Sequence, residues 1–404
     1  MAKSASARLI AAVLAVGFWV MFLSSAIKGL YQVYFVDLSA HFGGSRSDMA
    51  LAGSLFVLSI GLLSPVVGAL SDRCGPLWTV AFGSFCAGVM LLGVSYWPHS
   101  QLLFVLLYGL LGAFALTAMS FVPMGILVDR MVQSRSKALA FAVVSNGTAI
   151  GFIVLSPLWI WLQQWLAWPV LFNRVGWLFL LPLTLALSWV AWRVPLLAQA
   201  EPTPAPGVLW QLGKDPRLYW LALSFFSCGA SMAFIDVHLL PYWQGNGVPP
   251  SVQASGLSLL GVLELGSGLL AGWLATRFNK AGLLAGFYLL RCAAVLVLLA
   301  SPTPYKVYLF ALLFGASYLG TVVLTSAFCF DLFGARNKGQ VFGLLFLVHQ
   351  LGALTLTQLA ALDFDRHQNY QLSISLLAGL TLAAAGFALC MLPSARGVAK
   401  RVEQ

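Results

Sequence analysis

The stretch that decides the fold is Gly68-Ala69-Leu70-Ser71-Asp72-Arg73-Cys74-Gly75, which lies between two long apolar runs. Its only charged residues are one acid and one base, side by side, and a glycine follows two positions later. A helix that spans a bilayer must end where the hydrocarbon ends, and a tight polar turn must carry the chain back into the membrane. The stretch therefore predicts a turn between two transmembrane helices.

This stretch resembles the loop signature Gly-x-Leu-x-Asp-Arg-x-Gly, which major facilitator superfamily transporters carry between their second and third helices. Every fixed position of the signature is matched. The basic residues that the family has after the last glycine are missing, since Pro76 and Leu77 stand there. The resemblance implies an all-α polytopic membrane protein with 12 transmembrane helices in two pseudo-symmetric six-helix bundles.

A weaker copy of the turn follows half a chain later. The segment 272–277 repeats the Gly-x-Leu-x-x-Arg spacing at an offset of 204 residues, with Thr276 in place of the acid. A second motif, Arg-x-Lys-x-x-x-Phe, starts at Arg135 and recurs at Arg336, at an offset of 201, and Gly151 recurs as Gly352 at that same offset. Two motifs at nearly one offset predict two homologous halves, which is typical of transporters built from repeats.

The composition agrees with a membrane protein. The chain of 404 residues is 60% hydrophobic and only 8% charged, too little polar surface for a water-soluble protein of this size. Hydropathy predicts twelve spans. They cover residues 9–36, 48–70, 77–96, 101–127, 137–161, 175–194, 217–243, 251–275, 282–300, 305–328, 338–361 and 370–392.

The net charge of +10 is explained by the orientation of the chain in the membrane and does not require a nucleic-acid partner. Most of the 22 Lys and Arg residues fall on the side of the membrane that holds the N-terminus, and the other side has four: Arg46, Arg174, Lys306 and Arg366. By the positive-inside rule we expect both termini in the cytoplasm. We expect the protein itself in the cell inner membrane. The proline-rich segment 195–216 cannot span a membrane and predicts a cytoplasmic linker between an N-terminal bundle, 1–194, and a C-terminal bundle, 217–404.

Ionisable groups inside spans are costly and point to function. Lys28 and Asp236 lie at equal depth in spans 1 and 7, which are equivalent in the two repeats. A lysine that faces a central cavity would anchor a carboxylate, whereas the alternative is that Lys28 and Asp236 neutralise each other across the cavity. Tyr31, one turn after Lys28, shares its face and would bind substrate or pack against a neighbour. Arg291 in span 9 is expected to be structural, paired with an acid or with backbone carbonyls.

A narrower resemblance rests on Phe234-x-x-Val237-His238-Leu239-x-x-Tyr242, and it is to the monocarboxylate transporters and oxalate–formate antiporters. It implies small organic anions as substrates and protons as the coupling ion. The chain departs from this branch in two places. Span 8 has Glu264 where anion-binding relatives often have an arginine, and His349 lies near the place of the oxalate-type lysine of span 11. We therefore expect a monoanion held by Lys28, rather than a dicarboxylate.

The proton carrier remains open among His238, His349, Glu264 and Asp236. Imidazole titrates near physiological pH, although a lone buried histidine can equally be a satisfied helix–helix contact. Glu264 ranks first because no other role readily explains an acid between Leu263 and Leu265. The predicted substrate-binding residues are Lys28, Tyr31, Asn146, His238 and His349, and the predicted proton-coupling residues are Glu264 and Asp236.

The polar turns are predicted to gate the cytoplasmic side. A charge-assisted contact of Asp72 and Arg73 would hold the halves together and break when that side opens. A solvated turn that only sets topology is the alternative. The same two interpretations apply at the equivalent turns, to Asp129, Arg135, Asp331 and Arg336.

The leading hypothesis is a secondary active transporter that takes up a small organic anion with protons, as a monomer in lipid, without a cofactor or a nucleic-acid partner. The nearest rival is a proton-coupled exporter of drugs or hydrophobic metabolites, which the acids Asp236 and Glu264 would allow; a transporter-like ligand sensor is a third. The sequence lacks a Walker motif, His-Glu-x-x-His and Cys-x-x-Cys, so neither direct ATP use nor an enzyme is expected.

Overall fold

The computed structural model describes residues 7–132, 137–194, 215–333 and 338–391. These residues are almost entirely helical, and twelve helices are long and apolar enough to cross a bilayer. Nine spans are single unbroken helices. They are span 1 (Ala7–His41), span 2 (Arg46–Cys74), span 3 (Pro76–Tyr96), span 5 (Lys137–Gln163), span 6 (Trp168–Arg193), span 8 (Pro250–Ala275), span 9 (Lys280–Val297), span 11 (Lys338–His367) and span 12 (Gln371–Cys390).

The remaining three spans, 4, 7 and 10, are interrupted. Span 4 runs over residues 101–131, with a turn at 119–120. Span 7 (Pro216–Val237) continues into a short helix, Leu239–Gly245, after His238. Span 10 is broken, with helices Pro304–Gly315 and Tyr318–Phe333 on either side of a turn. This break matters for the site, because it sets the direction of the side chains that follow it.

Helix starts follow from local chemistry. Pro76, Pro216 and Pro304 stand in the first turn of their helices, where a missing backbone N–H costs nothing. Asp215 caps span 7 by accepting the backbone N–H of Arg217 at 2.9 Å. Hydrogen bonds from the Arg217 side chain hold the pKa of Asp215 below its usual range. The charged cap is therefore present at neutral pH and is lost only as the pH falls through that lowered pKa.

Span 6 begins earlier than predicted. It starts at Trp168 instead of 175, so Arg174 lies in the helix and not in a loop. The polar pair Asn173-Arg174 breaks the hydropathy signal, but Pro169 in the first turn favours a helix start there. Asn173 bonds Ser95 of span 3 at 3.2 Å, which satisfies its amide inside the bundle.

The helices pack as two similar bundles. Span 1 packs along span 5 and span 7 along span 11, while spans 2 and 11, and spans 5 and 8, pair across the halves. Glycines allow the closest approaches: a Cβ at Gly151 would collide with the carbonyl oxygen of Phe22, and one at Gly352 with that of Phe226. These two contacts are related by the offsets that the sequence motifs predict, 201 and 204 residues, so the repeat is visible in the packing.

The predicted linker and domain boundary stay predictions. Residues 195–214 lie outside the described part of the chain, so the structure gives no account of the segment between the bundles. We call the end of the molecule where span 1 begins and span 12 ends the terminal end. The opposite end, where spans 1 and 2 are joined, is the distal end.

Candidate functional site

A cavity of about 330 Å³ lies between the two bundles. Its wall comes from spans 1, 2, 4 and 5 of the first half and from spans 7, 8, 10 and 11 of the second. Among the described residues, spans 3, 6, 9 and 12 contribute nothing to it. The wall is mostly apolar and rich in aromatic rings, and the ring residues are Tyr31, Phe56, Tyr108, Phe121, Phe152, Tyr318 and Phe346.

One ion pair bridges the two halves at the cavity wall. The ammonium of Lys28 donates to Oδ2 of Asp236, and their side chains keep 41% and 20% of their surface exposed. One turn further along span 1, Gln32 donates to the carbonyl oxygen of Ile235 at 2.9 Å. Lys28 and Asp236 thus neutralise each other in this conformation, yet the ammonium of Lys28 remains reachable from the cavity.

Two more groups complete the polar centre of the cavity. Glu264 of span 8 lines the same cavity, and the hydroxyl of Tyr318 donates to Oδ1 of Asp236 at 3.4 Å. The centre therefore holds one ammonium, two carboxylates and one phenol from four spans. Tyr318 carried no sequence signal, because its orientation depends on the break in span 10.

His349 also lines the cavity, on span 11. Its imidazole is buried, and Nδ1 lies 3.1 Å from Oε1 of Gln350. Gln350 in turn donates to the carbonyl oxygen of Val57 on span 2, at 3.2 Å. His349 is thus part of a polar chain between the halves, and Gln350 is a member that the sequence did not single out.

Tyr31 lines the cavity with limited access. It is 2% exposed, its hydroxyl donates to the carbonyl oxygen of Met49 at 2.8 Å, and its ring stacks on Tyr108 at 4.4 Å between centroids. Its hydroxyl is thus already satisfied. The structure supports packing as its main role and leaves ring contact with a substrate as a prediction.

Two predicted binding residues lie away from the cavity. On span 5, the cavity is lined by Thr148, Ala149 and Phe152, and Asn146 is not among the lining residues, although it shares a helix face with Ala149. His238 is fully buried beyond the cavity, where Nε2 lies 2.8 Å from the carbonyl oxygen of Thr357. Neither residue lines the cavity in this conformation, and His238 has the geometry of a satisfied helix–helix contact. Their binding roles stay predictions.

The distal end is closed by a contact that the sequence analysis missed. The carboxylate of Asp365, on span 11, accepts the backbone N–H groups of Arg46 and Ser47 at 2.8 Å each and the hydroxyl of Ser45 at 3.0 Å. It therefore caps the N-terminus of span 2 from the other half of the molecule. The guanidinium of Arg46 lies 3.3 Å from the ring centroid of Phe364, which adds a cation–π contact across the halves.

The predicted gate at the terminal end is only partly described. Asp72 accepts a hydrogen bond from Arg130 of span 4 at 3.0 Å, within the same half, and Arg73 is exposed. The pairing of Asp72 with span 4 was not predicted. Arg135 and Arg336, and the side chains of Asp129 and Asp331, lie outside the described residues, so their gating roles stay predictions.

The sequence matches the model of the Major Facilitator Superfamily over residues 15–357. The chain belongs to this superfamily. It is a multi-pass membrane transporter for small molecules and not an enzyme, as both the family and its relatives indicate. In the part of the chain that the structure describes, no group of three His, Cys, Asp or Glu side chains could hold a metal ion.

Three curated relatives of this transporter show the range of the family. An uncharacterized MFS-type transporter, YcxA, of Bacillus subtilis is 25% identical over 87% of both chains. Monocarboxylate transporter 12 of Xenopus laevis is 22% identical over 90% of this chain and 84% of the relative. The agnestins efflux protein AgnL12 of Paecilomyces divaricatus is 24% identical over 63% of this chain and 57% of its own length.

The fold is also that of a solved transporter. A crystal structure of a bacterial homologue of the human lysosomal transporter Spinster, in an inward-facing and occupied conformation, superimposes with a TM-score of 0.74. The two chains are 13% identical, and the match covers 96% of this chain and 97% of the other. This confirms the predicted fold of twelve spans in two bundles.

Proposed function

We propose that this transporter moves a small organic monoanion by alternating access, with protons carried in the same direction. The observation that supports this most is the Lys28–Asp236 pair at the cavity wall, with Glu264 in the same cavity. A substrate carboxylate can replace Asp236 on the ammonium of Lys28, because that ammonium is reachable from the cavity. The likeness to a monocarboxylate transporter supports the same substrate class.

Charge balance then favours proton coupling. When a substrate anion takes Lys28, Asp236 loses its cation in a mostly apolar cavity, and an unpaired buried charge is costly. One proton, taken up by Asp236 or by Glu264, restores the charge that the empty site had. Substrate and proton therefore favour each other's binding, which is the thermodynamic basis of symport.

The charges also favour a single carboxylate. Among the described residues that line the cavity, Lys28 is the one with a permanent positive charge. A dicarboxylate would bring a second negative charge next to Asp236 and Glu264 without a second cation. The aromatic walls instead suit an apolar or aromatic body attached to the carboxylate.

A substrate screen tests the proposal. Purified protein is heated with a panel of monocarboxylates, dicarboxylates and organic cations, and stabilisation by a ligand raises its melting temperature. We expect monocarboxylates to stabilise the wild type and the Lys306→Ala control, since Lys306 bonds a loop carbonyl outside the cavity. Lys28→Ala should lose the effect. Stabilisation by organic cations alone would overturn the proposal.

Proton-coupled export of a hydrophobic compound is the second candidate. Asp236 and Glu264 could hold a cationic substrate, and one relative is an efflux protein. The two functions differ in the sign of their pH dependence. In proteoliposomes, a monoanion symporter concentrates substrate on the alkaline side, whereas a proton antiporter concentrates it on the acidic side. A ligand sensor would bind without counterflow of labelled ligand.

The orientation is a part of this proposal. The excess of basic residues at the terminal end supports both termini in the cytoplasm, and hence a cavity that is sealed towards the outside by Asp365 and Arg46. Labelling of a cysteine introduced next to the N-terminus, in intact and in broken cells, tests this placement. Labelling in intact cells by an impermeant reagent would reverse it.

A further inference from the structure

Arg291 is a buried cation that the proposed transport cycle has not used. It lies on span 9, behind the cavity wall, and is fully buried. Its guanidinium donates to Sγ of Cys228 at 3.2 Å and to the hydroxyl of Ser231 at 3.0 Å, both on span 7. A buried guanidinium is costly, so its position calls for an explanation.

Its other hydrogen bonds go to the break in span 10. One nitrogen, Nη2, donates to the carbonyl oxygens of Ser317 and Tyr318 at 2.6 and 2.9 Å, and to the hydroxyl of Thr321 at 2.9 Å. The carbonyl of Ser317 belongs to the turn itself, and that of Tyr318 to the first residue of the helix that follows. Arg291 therefore fixes the backbone of the turn that precedes the second part of span 10.

Tyr318 is the first residue after this turn, and its side chain lies in the cavity wall. The backbone N–H of the next residue, Leu319, donates to the hydroxyl of Ser267 on span 8 at 3.1 Å. Tyr318 is thus held from two sides, and its hydroxyl reaches Asp236 at 3.4 Å. Asp236 lies between two donors: Lys28 at one carboxylate oxygen and Tyr318 at the other.

We propose that Arg291 is a positioning residue for transport, because it holds Tyr318 close to Asp236. When a substrate carboxylate occupies Lys28, the takeover follows: the Tyr318 hydroxyl replaces Lys28 as the hydrogen-bond donor to Asp236. The inference rests on the proposed function for the substrate alone; the placement of Tyr318 by Arg291 does not depend on it. Arg291 suits this task because its two terminal nitrogens divide the work: Nη1 bonds Cys228 and Ser231 of span 7, while Nη2 bonds the turn. The single nitrogen of a lysine ammonium cannot reproduce this geometry.

Double-mutant cycles test the placement without any substrate. The melting temperature of purified protein is measured for Tyr318→Phe, Asp236→Asn and the double variant, and the non-additive part reports their coupling. We expect a coupling of about 2 °C with Arg291 present, and its loss in the Arg291→Gln background. Absence of coupling in the wild type, or equal coupling in both backgrounds, would overturn the proposal.

A matched control separates positioning from general stability. Tyr288 lies one turn before Arg291 and donates to the carbonyl oxygen of Ser224 at 2.6 Å, without a hydrogen bond to span 10 in the described residues. Tyr288→Phe should lower the melting temperature and keep the Tyr318–Asp236 coupling. If Arg291→Gln does not fold, Arg291→Lys retains the charge, and it should weaken the coupling at least twofold. Undiminished coupling in Arg291→Lys would count against the proposal.

The takeover itself is tested by removing the ammonium. In a Lys28→Ala background, Tyr318 is the side-chain donor that Asp236 keeps among the described residues, so the coupling between them should rise at least twofold. An unchanged or smaller coupling would refute the takeover. Failure of the proposed function looks different: a protein that shows all of these couplings but binds and moves no monocarboxylate would refute the substrate class and leave the role of Arg291 intact.

Discussion

At the scale of residues, Asp236 competes with the substrate carboxylate for the ammonium of Lys28. Lys28→Ala should abolish binding of a monocarboxylate, whereas Asp236→Asn should tighten it roughly two- to tenfold, because an ammonium without its carboxylate partner is free for the substrate. Isothermal titration with a monocarboxylate found in the thermal screen measures both. Equal losses in the two variants would show that the pair is only structural.

Glu264 makes a separate prediction at this scale. Its carboxylate faces the cavity with Asp236 nearby, so protonation of Glu264 is the least costly way to balance an incoming anion. Glu264→Gln mimics the protonated state. It should keep exchange between equal pools of substrate and lose accumulation driven by a pH gradient. Accumulation by the Gln variant would move the proton site to Asp236 or His349.

At the scale of elements, the distal closure depends on one helix end. Asp365 caps span 2 across the halves, whereas Asp363, two residues earlier, caps span 12 within its own half through the backbone N–H and hydroxyl of Ser373. Asp365→Ala should open the distal end, since each cap contributes about 1 kcal/mol. Asp363→Ala is the matched control, which should lower stability without opening that end.

Alkylation reports this opening. Ser54 of span 2 is 3% exposed, and its hydroxyl lies 3.5 Å from Oε1 of Gln358 on span 11 of the other half. In a background without the exposed Cys74 and Cys390, a Ser54→Cys thiol should react several times faster when Asp365→Ala is present. The rate in the Asp363→Ala background should match the parent. Equal rates in all three proteins would show that the cap does not hold this end.

The turn between spans 2 and 3 offers a second prediction for elements. Asp72 pairs with Arg130 of span 4, so Asp72→Asn and Arg130→Gln should both slow turnover and leave substrate affinity nearly intact. Because either substitution breaks the Asp72–Arg130 contact, the double variant should be no slower than the more affected single variant. Counterflow rates test this. Additive effects would mean that Asp72 acts through another partner in the cycle.

At the scale of the whole molecule, the charges predict how transport responds to voltage. One monoanion and one proton enter a site that keeps its net charge, so transport should be electroneutral. A potassium diffusion potential set with valinomycin should change the initial rate of monocarboxylate uptake by less than about twofold. An electrogenic cycle would respond more strongly, because moving one net charge across 100 mV is worth about 2.3 kcal/mol. Uptake driven by voltage alone would contradict the stoichiometry.

The sequence by itself determined the number of spans and the repeat. The spans can be predicted from local composition alone, because each helix must satisfy its own backbone hydrogen bonds in the bilayer. The predicted boundaries of spans 2, 3, 8 and 11 accordingly fall close to those observed, apart from a longer distal end of span 11. Gly151 and Gly352 could also be paired from the sequence, since close helix contacts permit no side chain there.

Only the tertiary structure decided which polar groups meet. Lys28 and Asp236 were recognisable as costly charges, but hydrogen-bonding capacity selected Asn146 and the titration of imidazole selected His238, and neither of these lines the cavity. Tyr318 could not be found at all, because its direction is set by a break that Arg291 stabilises from another helix. A cost of burial is a property of one residue, whereas the partner that offsets it comes from distant parts of the chain, and only the packing of the two bundles brings them together.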